Sequence, residues 1–142
     1  LVNRKLVTAK LAELADRVAR ALAHAKPSAK ELAADRDAID LVSFNLMLAV
    51  RCCADIASHL IADEGWPPAG TLADAFGRIA EHGVISDKTK IALARAVGFR
   101  NVVAHGYAGI DPEMIHRAVT DGVRDLDQFA KEVACWLSTP RP

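Results

Sequence analysis

From Ser28 to Glu64 the chain contains neither glycine nor proline. A stretch that long without a breaker, rich in Ala, Leu and Val, is restricted to a long helix or helices in series. Ser28 followed by Glu31 is a capping-box pattern that starts it, and the spacing predicts one helix to about residue 63. Ile39, Val42, Leu46, Ala49, Cys53, Ile56 and Leu60 recur at three and four residues along it. Leu41, Leu48, Cys52 and Ala57 widen the apolar surface beyond one stripe. At ~1.5 Å per residue such a rod is roughly 50 Å long. Apolar on several faces, it has to be enclosed by other helices, so it reads as the central helix of a bundle. It is also long enough to carry a dimer contact.

The flanking segments supply the enclosing helices. Residues 2 to about 25 form the first, with Val7, Leu11, Leu14, Val18 and Ala21 on one stripe. "DEGWPPAG" at 63–70 is a loop. Thr71 caps a helix over 72–82 whose inner face is Leu72, Phe76 and Ile79. Ser86 caps another from 87 to about 105, ended by Gly106. Asp111 caps the last, with Pro112 in its first position and Ile115, Val119, Leu126, Phe129, Val133 and Leu137 facing inward. Aromatic residues are only 5% of the chain, which disfavours strands. The expected fold is all-α: a single domain over 1–142, an up-and-down bundle of about five helices, dimerising along its long helices.

Eighteen basic residues balance eighteen acidic ones. That excludes a general nucleic-acid coat, so any RNA contact must come from a local patch. Cys52, Cys53 and Cys135 are an odd number without metal-ligand spacing and read as reduced core thiols. The five histidines, His24, His59, His82, His105 and His116, do not pair with other ligands at metal spacing. No metal and no cofactor is expected. Neither a membrane span nor a signal pattern is evident, and the expected location is cytoplasmic.

One stretch departs from the apolar pattern. "GFRNVVAHGYAGIDPEM" places Arg100, Asn101, His105 and the chain's one tyrosine, Tyr107, within eight residues at a helix end. Asn101 and His105, four apart, share a face. Arg100 lies ~140° around from His105 at ~100° per residue, but its side chain is long enough to reach back. Ala94, Gly98, Asn101 and His105 form a stripe in which two members are very small, a surface that another backbone can approach closely. The helix also carries Lys88, Lys90 and Arg95 against Asp87. A guanidinium is a planar partner for phosphate and imidazole moves protons near neutral pH. Together they are the minimum for cleaving RNA with its own 2′-hydroxyl as nucleophile. The competing reading is a helix-end histidine, a surface arginine and a tyrosine used for packing. On helix chemistry alone both stand.

"FRNVVAHGYAGID" closely resembles the motif of the HepT-like toxins of the HEPN superfamily, and "FNLMLAVRCCADIASHLI" and "LADAFGRIAEHGVIS" are similar to the segments preceding it. The resemblance spans roughly residues 36 to 135. It implies an all-helical, usually dimeric protein with a composite, metal-independent endoribonuclease site across the dimer interface. Arg100 would hold the scissile phosphate, His105 would act in acid–base catalysis and Asn101 would orient the site. Tyr107 would be the residue that a partner nucleotidyltransferase antitoxin, the MNT type, modifies with AMP. An acid is frequent in the family near Asp55, which would then pair with Arg100 or His105. The alternative for Asp55 is a surface position or a pair with Arg51 or another base at the edge of the core, with His59 one turn away. Implied partners are a second copy of the chain or a higher homo-oligomer, the antitoxin and an RNA substrate. A different class of function also fits: a non-catalytic helical subunit that binds a nucleotidyltransferase. A nucleotide-binding bundle is weaker, because no glycine-rich phosphate loop is present.

Overall fold

A computed structural model describes residues 2–106 and 110–140. Seven α-helices follow in order: α1 Arg4–Ala23, α2 Ala29–Ala33, α3 Arg36–Glu64, α4 Leu72–Glu81, α5 Asp87–His105, α6 Pro112–Arg117 and α7 Val123–Ser138. The described residues contain no strand. α3 is the central rod: α1 packs along it, and α4, α5 and α7 close the remaining sides. Val42, Ala49, Cys53, Ile56 and Leu60 of α3 are fully covered, as are Phe76 of α4 and Phe129 of α7, whose rings meet edge to face at 5.9 Å.

Helix starts follow the local chemistry. The side chains of Ser28, Thr71, Ser86 and Asp111 each accept a backbone N–H from the first turn of their helix. α3 ends at Gly65, whose φ of +69° lets the Trp66 N–H turn back to the Ile61 carbonyl at 3.0 Å.

Two expected helices are interrupted. The one drawn from Ser28 to about residue 63 breaks at Ala34–Asp35 into α2 and α3. Asp35 takes extended backbone and accepts the Ala38 N–H at 3.1 Å, while Lys26 holds its other oxygen at 3.2 Å. Those contacts keep the Asp35 carboxyl below its ordinary value, the Ala38 hydrogen bond foremost. The last helix is wound as π-helix over Ala118–Gly122, between α6 and α7. The Thr120 hydroxyl donates to the carbonyls of His116 and Arg117, competing with the α-helical ladder, and Gly122 weakens the next turn. A third correction concerns the cysteines. Cys52 and Cys53 are buried, but Cys135 is exposed on α7. Burial pushes the Cys52 thiol up to about 11 and Cys53 well above its ordinary value, so both are inert thiols at neutral pH.

The start of α5 is fastened to α7 by Glu132. Its carboxylate accepts the Ser86 N–H at 2.6 Å and the Thr89 hydroxyl, and Thr89 is itself buried. Partial burial pushes the Glu132 carboxyl up, but the hydrogen bonds from Thr89 and Ser86 outweigh it and hold the group below its ordinary value. A depressed carboxyl stabilises the fold above its unfolded value of about 4.3, and that contribution is lost as pH falls through the folded value. Glu132→Gln should therefore cost ~1–2 kcal/mol at neutral pH, with the gap to the parent narrowing as pH falls below the unfolded value of about 4.3. Urea unfolding at several pH values checks this; a gap that does not change with pH would remove the charge from the explanation.

Candidate functional site

The last turns of α5 carry the polar cluster. Arg100 is half-buried, whereas Asn101 and His105 are exposed. The Arg100 Nη1 donates to Asn101 Oδ1 at 3.0 Å. Neighbouring residues on a helix diverge by ~100°, so this bond swings the guanidinium around the helix toward the face that Asn101 shares with His105. No hydrogen bond joins His105 to either residue, and His105 is exposed as the last residue of α5. Tyr107 lies outside the described residues.

Two features behind the cluster were not legible as site residues. Phe99 and Val102, the residues flanking Arg100 and Asn101, line an apolar cleft of about 510 Å³ between α3, α5 and the π-wound end of the last helices. Leu46 and Val50 of α3 and Met114 of α6 line it as well. Gly106 matters for close packing rather than for a left-handed conformation. Its φ is −83°, yet a Cβ there would lie 2.4 Å from the Val102 carbonyl oxygen. A side chain at this position would displace the chain between His105 and Tyr107. The sequence signal was only that a glycine follows the helix.

Asp55 does not join the cluster. Its carboxylate pairs with Lys10 of α1 at 3.4 Å, the alternative in which a base at the core edge takes it. The reason is rotational. On α3, Asp55 stands ~180° from Leu46 and ~140° from Val50, the two residues that face α5. Lys10 is raised above its ordinary value: burial lowers it, but Glu13 and Asp55 outweigh that. His59 is half-buried one turn further along α3. Lys88 and Arg95 are exposed along α5 and Lys90 is partly covered. No group of three His, Cys, Asp or Glu side chains converges as metal ligands would among the described residues, and no helix among them is long and apolar enough to cross a membrane.

An α-helical bundle that presents an R-N-x-x-x-H cluster on the last turn of a long helix defines a narrow class. The sequence pattern of the family described as "Ribonuclease HepT-like" matches residues 10–133. The chain belongs to this HepT-like family. It is 27% identical over 90 residues to the mRNA nuclease HepT of Shewanella oneidensis, covering 63% of this chain and 68% of that protein. It is 21% identical over 94 residues to the tRNA nuclease HepT of Aphanizomenon flos-aquae, covering 66% of this chain and 64% of that one. Its fold matches that of a tri-AMPylated Shewanella oneidensis HEPN toxin in complex with an MNT antitoxin, at a TM-score of 0.83 and 22% identity, over 91% of this chain and 96% of the other.

Proposed function

We propose that this chain is the toxin of a toxin–antitoxin pair: a metal-independent endoribonuclease whose site is completed by a second copy of itself and silenced by AMP on Tyr107. The observation that carries the reading is the Arg100–Asn101 bond. It turns a phosphate-binding cation onto the face where His105 is exposed, an arrangement that a helix cap does not need.

The chemistry follows from those groups. Arg100 holds the non-bridging oxygens of one phosphodiester. One imidazole takes the proton of the adjacent 2′-hydroxyl, whose oxygen attacks the phosphorus. A second imidazole gives a proton to the departing 5′-oxygen. The products are a 2′,3′-cyclic phosphate and a 5′-hydroxyl. The nucleophile belongs to the substrate, so no metal-activated water is called for. One chain offers one His105, and a two-fold pair offers both imidazoles and both guanidinia. Among the described residues, three of the five large apolar side chains left exposed, Leu41, Phe44 and Val102, lie on α3 and the latter part of α5, which supports pairing along the long helices. Negative charge and bulk added at Tyr107, two residues beyond His105, would repel and block an incoming phosphate.

The test uses one preparation expressed alone and one co-expressed with an MNT-type nucleotidyltransferase. The first should cleave RNA in excess chelator and leave 2′,3′-cyclic ends. The second should carry AMP mass on Tyr107 and be inactive. Cleavage that needs added metal removes the mechanism, label elsewhere removes the switch, and no cleavage at all leaves the chain as an interaction subunit.

A further inference from the structure

We infer that the groove between α4 and α5 is an RNA-backbone track, holding the strand beside the scissile bond through Arg78, Lys90 and Arg95. This rests on the ribonuclease reading above and extends it to how substrate is held.

The groove is about 630 Å³. Small residues line it, Ala73 and Gly77 of α4 and Ala94 of α5. A Cβ at Gly77 would meet the Lys90 side-chain stem at 3.9 Å, so the lysine of α5 reaches across the groove to Gly77 of α4. Ala94 belongs also to the stripe that continues through Gly98 and Asn101 to His105. At ~1.5 Å per residue Ala94 and His105 are ~16 Å apart along one helix. A strand laid in the groove is thus directed at the cluster rather than away from it. Two helices that approach at Gly98 cross at an angle and diverge toward their ends, so a second copy seated there leaves this groove open.

The charges fit a phosphate chain. α5 carries four cations against one acid. The whole molecule is neutral, so the remainder of the chain has an excess of three acids, and the net attraction for a polyanion favours α5. Arg95 is exposed and has no ion pair among the described residues. Lys90 reaches only Asp87, at 3.6 Å, an acid 85% exposed. The Arg78 Nη1 holds Glu81 at 3.1 Å, an acid 63% exposed, while its Nε is buried without a partner. Pairs with such exposed acids are weak, and both cations can exchange them for phosphate. The other acid on the groove, Asp74, turns an oxygen toward Gly70, at the outer end of α4.

The probe is fluorescein-labelled oligouridylate, about 4 and about 16 nucleotides long, binding to protein that carries His105→Ala so that it is not cut. In this parent the longer probe should bind tighter, with affinity falling steeply as salt rises. Adding Arg78→Gln, Lys90→Gln and Arg95→Gln should erase the gain from length, weaken the long probe by about tenfold or more, and reduce the salt slope by about 2, the value for three lost contacts to a single strand. Circular dichroism verifies the fold, and Arg95→Gln alone should give about a third of the slope change if the triple variant is unstable. Unchanged length dependence and slope in folded variants overturn the track while leaving the ribonuclease reading intact. Retained RNA affinity with weakened capture of a purified nucleotidyltransferase overturns it in favour of a protein-docking groove. Failure of the wild-type chain to cleave any RNA is the separate result that removes the reading beneath it.

Discussion

His105→Ala should lower RNA cleavage by about 10²–10⁴-fold while leaving the bundle as stable as before. The two halves of that expectation come from the same observation. His105 is exposed at the end of α5 and forms no hydrogen bond with Arg100 or Asn101, so its truncation opens no cavity and orphans no buried group. Substitutions of that kind stay within about 0.5 kcal/mol. If both imidazoles of a pair take part, one as base and one as acid, the variant loses both at once. Arg100 should behave differently. It is half-buried and bonded to Asn101, so Arg100→Ala should weaken the proposed phosphate binding and also loosen Asn101. Arg100→Lys should not rescue cleavage, because an ammonium keeps the charge and lacks the planar fork that reaches Asn101 and a phosphate together. In cells, expression of the parent should slow growth and His105→Ala should relieve it. Equal harmlessness of the two, with no cleavage by either, would sink the nuclease reading. Full activity in Arg100→Ala would take the guanidinium out of the site.

Legibility in the sequence followed the range of the interaction. Helix caps are contacts over two or three residues, and Thr71, Ser86 and Asp111 with Pro112 declared themselves by residue type and spacing. The same holds for the inward stripes, since Phe76, Ile79, Phe129 and Val133 are all fully covered. The break before α3 was harder because no glycine or proline marks it. Asp35 does have the preference for a cap, but what decides the matter is Lys26 reaching it across the turn. The π-helical segment carried a weak sign in Thr120 and Gly122, two poor helix formers in an otherwise regular stripe.

For the site, periodicity places residues on a face of one helix but does not say which helix stands opposite. Arg100, Asn101 and His105 belong to a single helix, so their juxtaposition could be read from spacing. Asp55 could not be assigned that way, because its partner, Lys10, is forty-five residues distant and the choice between α1 and α5 is tertiary. The apolar cleft behind Phe99 and Val102 draws on three separate segments and left no trace in the sequence. Tyr107 was legible only through the family motif.

Gly98 yields the second large effect, and it has opposite signs in the two measurements. A glycine inside a helix costs ~1 kcal/mol relative to alanine. It is usually kept because a neighbour within the chain is too close for a Cβ or because the backbone turns left-handed. Neither applies here: a Cβ at Gly98 meets nothing within 4 Å, and Gly98 is not among the glycines with positive φ. Among the described residues Gly98 lines the apolar cleft, but nothing there crowds it enough to require a glycine. A second copy approaching at Gly98 and on toward Asn101 and His105 would supply that crowding, and would bring the two clusters together. Gly98→Ala should then raise the unfolding free energy by ~1 kcal/mol at protein concentrations where the chain is monomeric. Gly98→Leu should also fold, since its side chain enters open space, yet it should hold the two helices apart. Sedimentation should show weakened dimer, and cleavage should fall by about 10²-fold, the scale of a reacting group misplaced by about 1 Å. A folded Gly98→Leu variant that dimerises and cleaves like the parent would show that the second copy does not approach through this stripe. The two imidazoles would then have to meet by another face of α5 or not at all.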